Sequence, residues 1–226
     1  MRVACLWSGG KDSAYACYLA LNMGLKVERL VTFCPQDPES KLFHVPNIKW
    51  TTLQAKSAEI PQDLVEAPMN QEHDVLLKTL IALRKQHEVE GVVAGVIASN
   101  YQRRILQEIC EKAGLKLITP LWGRDPFNVV NQMINEGIRA IVVGVYAEGL
   151  TRQWLGREMD QRLLEHLKRL FKTWGVSPCG EGGEYETFVV DAPFFTKRIK
   201  VANYEVVWHR NWGELIILDA VLIEKA

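Results

Sequence analysis

Near the start of the chain, Ser8-Gly9-Gly10-Lys11-Asp12-Ser13 combines two hydroxyls, two glycines, a cation and a carboxylate in a span short enough to form one loop. The apolar run before it, residues 3–7, reads as a strand, and the spacing of Ala14, Cys17 and Leu21 after it reads as a helix. The hexapeptide therefore falls where a strand hands over to a helix N-terminus, whose backbone N–H groups and dipole of about half a positive charge attract an anion. Gly9 and Gly10 let the backbone approach phosphate oxygens closely, Ser8 and Ser13 donate hydroxyls, and Lys11 adds a point charge. Asp12 would repel a phosphate unless a divalent cation bridged the two, so it is the candidate magnesium ligand. The loop is neither Gly-x-x-x-x-Gly-Lys-Ser/Thr nor Gly-x-Gly-x-x-Gly.

A second cluster lies far along the chain in Gly180-Glu181-Gly182-Gly183-Glu184-Tyr185-Glu186-Thr187. Three carboxylates around two glycines repel one another in a folded chain unless a cation sits among them; the alternative is a solvated acidic turn. A third segment, Ser99-Asn100-Tyr101-Gln102-Arg103-Arg104, follows an apolar run and offers two guanidiniums, either to a phosphate or a carboxylate or simply as exposed helix-start side chains. The five histidines show no paired metal spacing and receive no role.

The elements that must position these groups alternate. Strands are expected over 3–7, 27–34, 63–67, 91–97 and 117–119, with helices over 11–23, 48–59, 71–86 and 101–113. That order predicts an α/β fold with a five-stranded parallel, doubly wound, Rossmann-like sheet, whose ligand crevice lies at the carboxyl ends of the strands. Beyond Pro120 the texture changes to helices over 127–136 and 159–171 and strands over 139–146, 187–191, 199–208 and 214–223. A nucleotide-binding domain over 1–122 and a smaller mixed α+β domain over 123–226 are expected.

Composition narrows the classes. With 48% hydrophobic residues in 226, the chain can bury a sizeable core, and no apolar run is long enough to span a bilayer. Equal numbers of basic and acidic residues, 27 of each, give no global field for nucleic acid or anionic membrane. Five scattered cysteines without Cys-x-x-Cys read as reduced, mostly core thiols, and nothing at the N-terminus reads as a signal peptide, so a cytoplasmic protein is expected.

Ser-Gly-Gly-Lys-Asp-Ser after the first strand resembles the loop of the N-type ATP pyrophosphatases, the PP-loop superfamily, which cleave ATP to AMP and pyrophosphate while activating an oxygen as an adenylate. Together with Glu-Gly-Gly-Glu-Tyr-Glu-Thr, Ser99 to Arg104 and Pro120-Leu121-Trp122, the chain is similar over nearly its whole length to the diphthine-ammonia ligase family. That resemblance implies amidation of diphthine on translation elongation factor 2 through an acyl-adenylate attacked by ammonia, with ATP as co-substrate and Mg2+ as cofactor. It implies ATP contacts from Ser8, Gly9, Gly10, Lys11, Asp12, Ser13 and Gly95, with Asp12 on the metal and backbone near 32–34 beside adenine. Substrate contacts fall to Tyr101, Gln102, Arg103, Arg104, Glu181, Gly182, Gly183, Glu184, Tyr185 and Thr187. Lys11 and Asp12 act in adenylation, and Glu184 or Glu186 binds and deprotonates ammonium. Tyr185, Tyr101 and Trp122 are the first choices, and Trp154, Trp174, Trp208 and Trp212 the alternatives, for walls around the trimethylammonium group. No N-terminal Cys follows Met1, so free ammonium rather than glutamine is the expected donor. The partners expected are elongation factor 2 and ammonium, without stable nucleic-acid binding or membrane attachment, and the assembly is either a monomer or a homodimer. Competing readings are a tRNA-modifying ATP pyrophosphatase and a non-catalytic adenine-nucleotide sensor.

Overall fold

A strand that lies in the middle of a parallel sheet must be apolar on both faces, and β1 (Arg2–Leu6) and β4 (Gly91–Val93) are buried on both. In the computed structural model, which describes residues 1–35 and 47–225, they form the centre of a parallel sheet. Its order is β3-β2-β1-β4-β5, completed by β2 (Lys26–Pro35), β3 (Gln62–Ala67) and β5 (Lys116–Ile118). Residues 36–46, between the second strand and the second helix, lie outside the described residues.

Two buried clusters show that the sheet is covered on both faces. Val3, Cys5 and Trp7 face one way, toward α1 (Lys11–Asn22), while Ala4 faces the other, toward α3 (Glu72–His87) and α4 (Asn100–Ala113). This alternation along β1 makes the fold doubly wound, as expected. The first cluster continues without a break into the C-terminal half, through Val129, Val142, Leu167 and Val189. There α5 (Pro126–Asn135) and α6 (Gln161–Trp174) cover an antiparallel sheet of order β7-β6-β9-β8. Its strands are β6 (Arg139–Val145), β7 (Tyr185–Asp191), β8 (Arg198–Trp208) and β9 (Gly213–Ile223). No described helix is long and apolar enough to cross a membrane.

Two expectations shift. The strand expected over 91–97 stops at Val93, and beyond it the N–H groups of Ile97 and Ala98 are taken by a side chain from elsewhere. The helix expected over 48–59 begins as a 3₁₀ turn at Ile48–Trp50 before α2 (Thr51–Ala58), with Trp50 Nε1 donating to Ile217 O of β9.

Buried thiols make stability pH-dependent. Burial first, and the neighbouring Glu111 carboxylate second, push the Cys110 thiol from 9.0 up to about 12, and burial also raises Cys5 and Cys179. A raised thiol keeps its proton in the folded chain after the unfolded chain has lost it. Its contribution is therefore whole below the ordinary thiol value and declines above it, by up to about 1.4 kcal/mol per pH unit per group. Urea midpoints are expected to fall steadily as pH rises beyond about 9. A midpoint constant up to about pH 10.5 would contradict this origin.

Candidate functional site

In the sheet order β3-β2-β1-β4-β5 the crossovers leave β1 and β4 toward opposite sides, so a crevice opens at their carboxyl ends. A cavity of about 640 Å³ lies there. Ser8, Lys11, Asp12 and Ser13 line it from the loop after β1, and Gly95 from the loop after β4. Glu181, Gly182, Gly183, Tyr185 and Glu186 line it from the C-terminal half, and Val31 and Phe33 add an apolar wall. The first two clusters singled out in the sequence, 173 residues apart from Ser8 to Glu181, therefore meet on one cavity (181 − 8).

The loop is held from both sides. Ser8 Oγ and Ser13 Oγ lie 3.1 Å apart, Gly10 N donates to Ser8 Oγ, and Ser13 Oγ donates to Gly10 O. Gly9 has φ +82°, and a Cβ there would stand 2.8 Å from Gln54 Oε1 and Thr51 Cγ2, so both its backbone conformation and its space require glycine. Gln54, fully buried on α2, uses its whole amide: Nε2 donates to Gly9 O and Val189 O, and Oε1 accepts from Trp7 Nε1. Val189 N returns a bond to Gly9 O, and Lys11 N donates to Thr187 Oγ1. Sequence reasoning missed Gln54, since a lone glutamine on a short helix carries no spacing signal. Gln54→Leu would leave Val189 O and the Trp7 indole N–H short of a partner, at about 1–3 kcal/mol each, while Gly9 O keeps its bond from Val189 N. The expected result is a loss of at least about 2 kcal/mol in urea unfolding. A loss below about 1 kcal/mol would mean that water replaces the amide.

Lys11 is 3% exposed. Its ammonium donates to Asp12 Oδ2 at 2.9 Å and to Cys179 O, and stands 4.9 Å from the centre of the Tyr185 ring. Burial, the largest single influence, works against its charge, but Asp12, Tyr185 and Cys179 together outweigh that cost and hold the ammonium above the ordinary lysine range. Burial raises Asp12, with Lys11 pulling the other way. Asp12 Oδ1 is buried without a hydrogen-bond partner, which leaves one carboxylate oxygen for a ligand.

The expected repulsion among the three glutamates is relieved by backbone N–H groups. Glu181 reaches across to the loop after β4 and accepts from Ile97 N at 2.7 Å and Ala98 N at 2.8 and 2.9 Å. Glu184 accepts from Ser177 N and Gly182 N and is absent from the cavity lining, which places it as a brace for its own turn. Glu186 lines the cavity, and its charge is felt by Asp12. Tyr185 is buried, with its hydroxyl donating to Pro178 O at 2.7 Å. Thr187 is buried beneath the loop rather than facing the cavity.

On α4, Tyr101 and Gln102 border the cavity, whereas Arg103 and Arg104 do not. Arg103 lies over Trp122, 4.6 Å from the ring centre, so these two occupy one another. Gly95 borders the cavity but is packed against the backbone of Asp12 and Ser13 rather than held open for a base.

Fold and site together define a doubly wound α/β protein whose crevice joins an anion-ready helix N-terminus to an acidic turn from a second sheet. The chain belongs to the diphthamide synthase family: the family's N-terminal domain matches residues 1–117 and its C-terminal domain residues 125–223. It is 32% identical to the diphthine–ammonia ligase of Bos taurus and 31% identical to that of Homo sapiens, each match covering 92% of this chain and 86% of the relative. The diphthine–ammonia ligase of Schizosaccharomyces pombe is 33% identical over 96% of this chain but only 39% of its own length.

Proposed function

We propose that this chain is an AMP-forming ligase that joins ammonia to the carboxylate of diphthine. The observation that carries the reading is the meeting of the loop over 8–13 and the turn over 181–186 on one cavity, within a family whose relatives bear that name. A carboxylate resists ammonia because its charge repels the attack and oxide leaves poorly. Activation forms a bond from the carboxylate oxygen to the α-phosphorus of ATP and breaks the bond to the β-phosphate oxygen, releasing pyrophosphate. Ammonia nitrogen then attacks the carbonyl carbon, and AMP leaves as the amide forms.

The chain's own groups fit these steps. Ser8 and Ser13 hold the phosphates over the turn that Gly9 and Gly10 form, and the Lys11 charge, buried behind them, acts as a fixed field instead of a mobile contact. Val31, Phe33 and the loop at Gly95 bound the space left for adenine. Mg2+ fits the orphaned Asp12 Oδ1, and since no cluster of three or more metal-binding side chains exists among the described residues, its other ligands would be phosphate oxygens and water. Bound there, the ion would neutralise charge on the departing pyrophosphate. Glu186, on the cavity wall, takes the proton from ammonium in this reading, and Glu181 shapes the mouth by fixing the loop after β4. The protein substrate is elongation factor 2.

Incubation with ATP, magnesium, ammonium and elongation factor 2 carrying diphthine is expected to release AMP and pyrophosphate in step with a one-amide mass change on the factor. Pyrophosphate release without amidation of the factor would leave the adenylating chemistry and reject the substrate.

A further inference from the structure

Beside the main cavity, α4 borders a groove of about 570 Å³ lined by Asn100, Tyr101, Arg103, Arg104, Gln107 and Glu108. Tyr101 is 46% exposed and borders both spaces, so the groove opens on the rim of the crevice. Arg103 and Arg104 make no ion pair among the described residues, and even Glu108, four residues beyond Arg104, is not paired with it. Both arginines stand near the start of α4, where the helix dipole disfavours cations. The arrangement costs stability, and no anionic side chain among the described residues offsets it.

A substrate that is one side chain of a protein reaches the crevice only if the polypeptide around it lies along the rim. Resting on the ligase reading above, we propose that this groove seats the polypeptide flanking the modified side chain, in a segment that carries carboxylates. Exposed Arg104 is the principal contact and Tyr101 an aromatic edge between groove and crevice. Guanidinium suits this role because its planar fork takes a carboxylate through two parallel hydrogen bonds. Arg103, already stacked on Trp122, supplies charge more than contact. A phosphate chain is the poorer occupant, because the loop over 8–13 that would hold it lines the main cavity and not the groove.

The test is steady-state amidation of full-length elongation factor 2 carrying diphthine by the wild-type chain, Arg104→Glu and Arg104→Lys. Arg104→Glu is expected to raise KM for the factor about tenfold at low salt, with kcat and the KM for ATP unchanged. The gap should narrow as ionic strength rises above about 0.3 M, and Arg104→Lys should recover part of the loss. Wild-type turnover with an unmoved KM for the factor in Arg104→Glu overturns the groove alone, as does a rise in the KM for ATP instead. A wild-type chain that amidates no factor overturns the ligase reading and this proposal with it.

Discussion

Asp12→Asn is expected to lower pyrophosphate release by about a thousandfold or more while leaving the chain folded, because its two oxygens do different work. Oδ2 holds the Lys11 ammonium at 2.9 Å, and an asparagine carbonyl still accepts that bond. Oδ1 is the buried oxygen without a partner, and an amide N–H2 in its place turns a donor toward phosphates and metal. The two consequences separate in measurement. The thermal unfolding midpoint should fall clearly, since the buried ammonium loses its counter-charge and keeps only a neutral acceptor, while ATP turnover should be lost at every magnesium concentration. In the metal-free chain burial holds the Asp12 carboxyl above the ordinary carboxylate value, so protons compete with magnesium for it sooner on acidification than they would at an ordinary carboxylate. The magnesium concentration giving half-maximal wild-type rate should therefore rise on acidification, and any residual rate in the variant should lack that dependence. A variant with full turnover at matched magnesium would remove Asp12 from the chemistry.

Gly95→Ala is the second large expectation. A Cβ on this residue would stand 2.6 Å from the backbone C and O of Asp12 and 2.8 Å from Ser13 N. These are backbone atoms at the start of α1, and no rotamer change moves them aside. The helix start must lift away from β4, carrying the phosphate loop with it. Displacement of a positioned group by about 1 Å can cost about a hundredfold in rate, and forcing a methyl into a packed contact costs about 1–3 kcal/mol. ATP titration followed by intrinsic fluorescence should show weakened binding together with that loss of stability. Unchanged ATP affinity in a stably folded variant would show that the loop after β4 can retreat without disturbing α1.

These two sites differ in how far the sequence announced them. The loop over 8–13 was legible because its chemistry is local: strand, glycines, cation and helix start are neighbours in the chain, and periodicity places them. The alternation of strands and helices was legible for the same reason, and β1 and α1 stand where apolar spacing put them. What could not be read was who faces whom. Glu181, Glu184 and Glu186 look equivalent in sequence, yet one caps a distant loop, one braces its own turn and one lines the cavity. Arg103 and Arg104 look like crevice residues, yet α4 turns them into the adjoining groove. The path of the chain at Ile97 and Ala98 is fixed by the Glu181 carboxylate, and the importance of Gln54 depends on three partners: Trp7 just after β1, Gly9 in the loop and Val189 of β7. Such partnerships arise only when the chain closes on itself.

The tie between Lys11 N and Thr187 Oγ1 joins residues 176 positions apart. As the chain grows from a ribosome, the first β-α turn emerges early, but the hydroxyl and the strand that fix its geometry arrive only when most of the protein has been made. A nascent chain carrying the whole parallel sheet would thus have no finished nucleotide loop. The capacity to consume ATP would appear with the completion of β7 and not before, so the incomplete polypeptide is kept from spending nucleotide.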